Sequence, residues 1–227
     1  MTDSPQSSVT KRLVILVSGG GSNLQSLIDG CESGYIDATV SAVISNNPEA
    51  GGLERAAKSG IPNLAIDHRA FDNRESFDQA LSELIDSFSP DLVILAGFMR
   101  ILTANFVDHY LGRMMNIHPS LLPAYPGLHT HRRALEAGDK KAGATVHFVT
   151  PELDVGPSII QAQVEIDNHD NEGSLASKVL AFEHKIYPEA VKWFCEGRLV
   201  MENNHVKVDN RSISDSGIIY NLIEPSS

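Results

Sequence analysis

Asn116 and His118 stand two residues apart in the stretch Met114-Met115-Asn116-Ile117-His118-Pro119, where a short apolar run ends. In extended backbone, residues i and i+2 point to the same side. An amide donor and a titratable imidazole would therefore face one space. That pair suits acyl transfer. Attack on a carbonyl builds negative charge on its oxygen, and losing one donor aimed at that oxygen costs roughly 10²–10³ in rate. A histidine can also carry the proton that such a reaction moves. Pro119 restricts His118 to extended conformations, and Pro123 and Pro126 stiffen the chain behind it. A third group must orient the imidazole and support its charged form. Asp154 is the candidate, in the Pro- and Gly-punctuated loop Pro151-Glu152-Leu153-Asp154-Val155-Gly156-Pro157. Each residue also has an ordinary use: a loop histidine as a structural or surface residue, and a turn aspartate as a cap.

A second candidate is Ser18-Gly19-Gly20-Gly21-Ser22-Asn23, directly after the apolar run Arg12–Val17. Glycines let backbone approach a ligand closely. A helix starting there would offer the N–H groups of Gly21, Ser22 and Asn23 to an anion. The register Gly19-x-Gly21-x-x-Leu24 fails the dinucleotide fingerprint, and no Walker lysine follows. A monophosphate fits better than NAD or ATP. The same glycines would equally serve a tight turn capped by Ser or Asn. His129-x-His131 could ligate a metal, but no third ligand with recognisable spacing follows.

The elements that would position these residues alternate. Runs at 12–17, 38–45, 63–66 and 91–97 read as strands, and 24–29, the stretch closing on Gly60, and 74–88 as helices. A short helix at 103–109 precedes a strand ending at Asn116, and 130–138 reads as a further helix. The runs 143–150 and 158–166 alternate as half-exposed strands, a candidate hairpin. A helix over 173–195 and a weakly structured tail with two short strands complete the chain. This is an α/β chain: a Rossmann-like open, mainly parallel twisted sheet with helices on both faces and antiparallel strands in its C-terminal part.

The 227 residues suit one domain, and no linker divides them. Hydrophobic residues make up 42% and charged residues 21%, near globular averages. A net charge of −11 argues against a nucleic-acid partner. Cys31 and Cys195 form no C-x-x-C pair, as expected of free thiols in a reducing compartment. No run reaches membrane-spanning length and the N-terminus lacks a signal-peptide core, so no membrane partner and a cytoplasmic location are expected.

Ser18–Asn23, Ala96–Leu102, Asn116–Gly138, Thr145–Pro157 and Glu183–Pro188, in this order and spacing, closely resemble the folate-dependent glycinamide ribonucleotide formyltransferases. The resemblance covers residues 12–201, read as a single formyltransferase domain between a flexible tail (1–11) and a C-terminal extension (202–227). It implies formyl transfer from 10-formyltetrahydrofolate to the amine of 5-phosphoribosylglycinamide. It implies Asn116, His118 and Asp154 as the catalytic set, and Gly21, Ser22, Asn23 and Glu183 as substrate contacts. For the folate it implies Arg74, Met99, Arg100, Ile101, Leu102, Asn116, Thr150, Pro151, Glu152, Leu153 and Asp154. Backbone groups of Met99 and Leu102 would hold the pterin, and Arg74 would face the glutamate tail. No metal is expected, and the assembly would be a monomer or weak homodimer. Val155 replaces a small residue common in that family, which would disfavour a left-handed backbone there.

Formyltransferases acting on tRNA and formyltetrahydrofolate hydrolases share part of this pattern. The former usually carry a further C-terminal domain and the latter an N-terminal one, for which the chain has no room. A metabolite sensor would need the glycine loop but not the Asn–His–Asp set.

Overall fold

The computed structural model describes residues 10–220, so most of the expected N-terminal tail and the last seven residues of the extension lie outside the described residues. Strands β1 (Lys11–Val17), β2 (Ala38–Ser45), β3 (Asn63–Ala65), β4 (Leu92–Leu95), β5 (Met114–His118), β6 (Lys141–Phe148), β7 (Ser158–Glu165) and β11 (Ile218–Tyr220) form one sheet. Its order is β11-β7-β6-β5-β4-β1-β2-β3. The strands from β3 to β5 pair in parallel. β6 pairs antiparallel with β5 and β7, and β11 returns parallel to β7.

Among the described residues six α-helices accompany them: α1 (Ser22–Glu32), α2 (Gly51–Lys58), α3 (Arg74–Asp86), α4 (Ala104–His109), α5 (Thr130–Ala137) and α6 (Glu172–Cys195). β1 shows why its sequence is apolar throughout. Leu13, Ile15 and Val17 enter the core that includes Leu24 and Leu27 of α1 and Val179, Ile186 and Tyr187 of α6. Val14 and Leu16 enter the opposite core, with Phe77 and Leu81 of α3 and Phe106 of α4. A strand covered on both faces cannot alternate with polar residues.

Three expectations are corrected. The strand expected to end at Asn116 runs on through His118, because β6 pairs with it there (His118 opposite Thr145). β6 and β7 are not half-exposed: β6 is buried from Ala142 to Phe148, and β7 from Ser158 to Ala162. Their polar residues bond inside the protein. Thr145 Oγ1 donates to Ser120 O at 2.7 Å and accepts from Leu122 N–H at 3.1 Å, while Gln161 donates to Leu122 O at 2.7 Å. The C-terminal stretch is structured as far as Tyr220. β8 (Leu199–Glu202), β9 (His205–Val208) and β10 (Arg211–Ser212) form a small antiparallel sheet, and β11 joins the main one. Burial raises the Cys31 thiol to about 11 and Cys195 to about 12, so both stay protonated at neutral pH.

Candidate active site

β1 and β4 are parallel neighbours, but successive strands are added outward in opposite directions from them, β2 and β3 on one side and β5 on the other. Ligands of open α/β sheets bind outside the carboxyl ends of the strands at such a switch point. β1, β4 and β5 end there side by side, carrying Ser18–Asn23, Gly97–Leu102 and the Asn116/His118 pair respectively.

The glycine stretch forms a nest of free donors. Gly21 is the N-cap of α1 at φ 73°, and an added Cβ would lie 2.8 Å from Gly52 Cα. Only glycine fits both the torsion and the close approach. The first helical N–H with a carbonyl partner is Gln25, bonded to Gly21 O at 3.0 Å; those of Ser22, Asn23 and Leu24 have no protein acceptor among the described residues. α2 holds the loop from behind. Gly52 N–H donates to Gly19 O at 2.9 Å and Arg55 Nε to Gly20 O at 2.7 Å. The expected helix start at Leu24 is corrected to Ser22, which moves Asn23 into the helix. There its side-chain amide donates one hydrogen to Glu183 Oε2 at 2.6 Å, while its backbone N–H stays free. Asn23 Oδ1 is buried without a partner. Burial pushes the Glu183 carboxyl above its ordinary value, opposed by the Asn23 hydrogen bond. Tyr187, one turn further along α6, donates to Leu95 O at 2.9 Å and Met115 O at 3.1 Å, tying β4 to β5 beside the site.

The structure brings Asn116, His118 and Asp154 together. His118 is 6% exposed. Its Nδ1 lies 3.5 Å from Asp154 Oδ2, and its Nε2 donates to Tyr125 O at 2.9 Å. Asp154 Oδ2 also accepts from Gly127 N–H at 2.8 Å. The Pro-rich stretch after β5 thus bonds both members of the pair. Asp154 itself takes the left-handed conformation at φ 56°, which aspartate tolerates. Val155 is not among the positive-φ residues. The backbone there avoids the left-handed region that a β-branched residue disfavours, as its side chain requires.

Spacing did not single out His147. It is 2% exposed in β6, opposite Asn116, and its Nε2 is 3.2 Å from Asn116 Nδ2. Alternation along a strand says that His147 shares a face with Thr145, not which face that is. Burial lowers the imidazole from 6.5 to about 4, outweighing its Phe148 carbonyl partner and the Asp154 charge. In the unfolded chain the ring titrates at its ordinary value, so between pH 6.5 and 4 the unfolded state binds the extra proton. Stability contributed by the neutral ring is complete above pH 6.5 and lost as pH falls to 4, by roughly 3 kcal/mol. Urea unfolding of the protein and of His147→Gln across this range tests it. The difference in stability between the two should shrink towards pH 4, and parallel curves would refute it.

The segment after β4 is pinned at both ends. Met99 N–H donates to Ser18 Oγ at 2.7 Å, and Ser18 donates to Asn46 Oδ1 at 2.5 Å. Thr103 N–H donates to buried Asp78 at 2.6 Å. Between these anchors the side chains of Met99 (72%) and Ile101 (56%) are exposed, as is Leu153 (55%) on the Asp154 loop. These apolar side chains are left open at the surface rather than packed into the core. Leu102 packs partly into the core. Arg100 stacks 5.2 Å over Phe77, with its Nε buried and unpartnered. Arg74 is exposed in the first turn of α3, one turn before Phe77; Pro151 and Glu152 are exposed and Thr150 half-buried. A cavity of about 370 Å³ lies behind the Asp154 loop, between Val155 and the turn at Asn204. His129 is exposed, while His131 is half-buried with Nδ1 unpartnered; among the described residues no group of three His, Cys, Asp or Glu side chains could hold a metal.

A formyl transferase family model matches residues 11–191. The phosphoribosylglycinamide formyltransferase of Escherichia coli is 52% identical over 205 residues, 90% of this chain and 97% of that one. The structure of the Coxiella burnetii phosphoribosylglycinamide formyltransferase superposes with a TM-score of 0.90 at 46% identity, covering 94% of this chain and all of that one. A formyltetrahydrofolate deformylase from Pseudomonas syringae superposes less closely (TM-score 0.80, 28% identity), with 88% of this chain and 66% of that one covered.

Proposed function

The chain belongs to the formyl transferase family, and from that membership and the site's geometry we propose that it transfers a formyl group from 10-formyltetrahydrofolate to the amine of 5-phosphoribosylglycinamide. The products are the N-formyl compound and tetrahydrofolate, a step of de novo purine (IMP) biosynthesis. The observation that carries this reading is the pairing of a free N–H nest after β1 with an Asn–His–Asp set at the end of β5, one strand away at the same sheet edge. A formyl-folate hydrolase has no use for the first, and a phosphate sensor none for the second.

The phosphate would sit on the N–H groups of Gly21, Ser22 and Asn23. Glu183 would accept from the ribonucleotide with the oxygen that Asn23 leaves free. Met99, Arg100, Ile101 and Leu102, with the 150–154 loop, would wall the folate, and Arg74 would face its glutamate tail. Because Ser18 holds the Met99 N–H, the carbonyl of Met99 is the group left for the pterin. In the reaction the amine nitrogen bonds to the formyl carbon and the carbonyl pair moves onto oxygen. Asn116 donates a hydrogen bond to that oxygen. His118 stabilises the oxyanion with the proton it now gives to Tyr125 O, and Asp154 supports the charged ring. As the carbon–N10 bond breaks, a proton leaves the attacking nitrogen and reaches N10 by way of His118.

We take residues 12–201 as the formyltransferase domain; β11 ties the extension after it to the main sheet. No described helix is long and apolar enough to cross a membrane. A cytoplasmic location and a monomer or weak homodimer complete the proposal. Purified protein mixed with phosphoribosylglycinamide and a 10-formyl folate should release deformylated folate only when the ribonucleotide is present. Release without it would make the protein a hydrolase, and no release would leave a binding protein.

A further inference from the structure

We propose that His147 is a positioning residue for Asn116: a neutral acceptor that fixes which atom of the amide faces the formyl oxygen. The inference rests on the formyl-transfer reading above and deepens it.

The argument is one of hydrogen-bond polarity. His147 Nδ1 lies 2.9 Å from Phe148 O. A backbone carbonyl can only accept, so Nδ1 carries the hydrogen. A neutral imidazole has one N–H, so Nε2 then presents a lone pair. The atom 3.2 Å from that lone pair is Asn116 Nδ2, which donates to it. The chain Asn116 Nδ2–H to His147 Nε2, then His147 Nδ1–H to Phe148 O, is the only polarity that satisfies all four groups. It leaves Asn116 with a second amide hydrogen for the oxygen on which charge develops. A flipped amide would set its Oδ1 against the His147 lone pair and lose that donor.

The surroundings favour this over simple packing. His147 is buried beside two catalytic candidates, with Asp154 Oδ1 3.9 Å from its Nε2, too far for a hydrogen bond. Burial keeps the ring uncharged at neutral pH, as the polarity requires. The backbone frame is stiff: Asn116 and His147 are direct partners in the β5–β6 ladder. An aliphatic residue would fill the same volume without the lone pair. Preorganised donors matter most in dry sites, and a side chain that removes an amide's freedom to rotate acts on the rate without touching substrate.

The test combines three substitutions with a cycle. His147→Gln places an oxygen acceptor near the lost Nε2, while His147→Asn places its polar atoms near Nδ1 and leaves Asn116 unpartnered. His147→Ala removes both. Expected are a fall in kcat of about tenfold to a hundredfold for the Asn and Ala variants, short of the roughly 10²–10³ for a lost oxyanion donor. KM for both substrates should hold, and the Gln variant should recover most of the rate. In an Asn116→Ala background, His147→Ala should cost no further kcat, because the two act as one unit. Independent, multiplying losses, or a Gln variant as slow as Ala, would overturn the positioning role while leaving formyl transfer intact. An Asn116→Ala enzyme with full activity would instead overturn the oxyanion role of Asn116 and this inference with it.

Discussion

His118→Ala is expected to lower kcat by about 10²–10⁴-fold, the usual contribution of a positioned acid–base group. The loss should fall on chemistry rather than on folding or binding. His118 ends a strand whose backbone is held on both sides, by β4 and by β6 at Thr145, so removing the ring does not release the chain. Asp154 keeps its Gly127 N–H, and the Asp154 loop keeps its own backbone bond from Phe148 N to Pro157 O. The free N–H groups at Ser22–Leu24 and the exposed segment at Met99 and Ile101 make no hydrogen bond to His118. KM for both substrates should therefore change far less than kcat. Steady-state kinetics with each substrate varied, beside a thermal melt, separates the cases. A raised KM with unchanged kcat would mean that His118 only binds. Asn116→Ala combined with His118→Ala should cost less than the product of the two, since both act on one oxyanion.

Much of this site was legible because its geometry is local. Asn116 and His118 share a face by the period of a strand, and the glycine loop announces a helix start by composition alone. What stayed hidden depends on partners distant in sequence. Pro119 announces extended backbone at His118, but not that it pairs as strand; that follows from β6, some thirty residues away. β6 and β7 alternate like half-exposed strands because Thr145, His147 and Gln161 are polar. Their hydrogen bonds lie inside, to Ser120, Leu122 and Asn116, and sequence period cannot tell a wet face from a bonded one. The C-terminal strands left a readable signal. Asn203-Asn204 and Asp209-Asn210 are two-residue connections with positive φ at both positions, the demand of a type I′ hairpin turn met by Asn and Asp. Those pairs outweigh the polar composition that suggested a loose tail.

Gly156→Ala is expected to cost about 3 kcal/mol or more in stability and roughly a hundredfold in rate in the molecules that fold. Gly156 is buried in the loop that carries Asp154, and a Cβ there would stand 1.8 Å from Phe148 O and 3.0 Å from Phe148 C. Backbone at the end of a paired strand cannot swing aside as a flexible side chain can, so the loop must yield. It has room to do so: the cavity of about 370 Å³ behind Asp154–Ser158 lets the segment back away without unfolding the sheet. That movement carries Asp154, two residues upstream, away from His118 Nδ1, already 3.5 Å distant. It also strains the left-handed torsion on which the aspartate depends. A displacement of only 1 Å in a catalytic group is enough for a loss of about 10². Gly19→Ala is the control for stability, since a Cβ there meets nothing within 4 Å and needs no positive φ. Urea unfolding should place Gly19→Ala near the parent protein and Gly156→Ala well below it. At a temperature where the latter is folded, its kcat should remain low. Full activity at that temperature would show that the aspartate need not hold its place against His118, and the assignment of Asp154 to the catalytic set would fall.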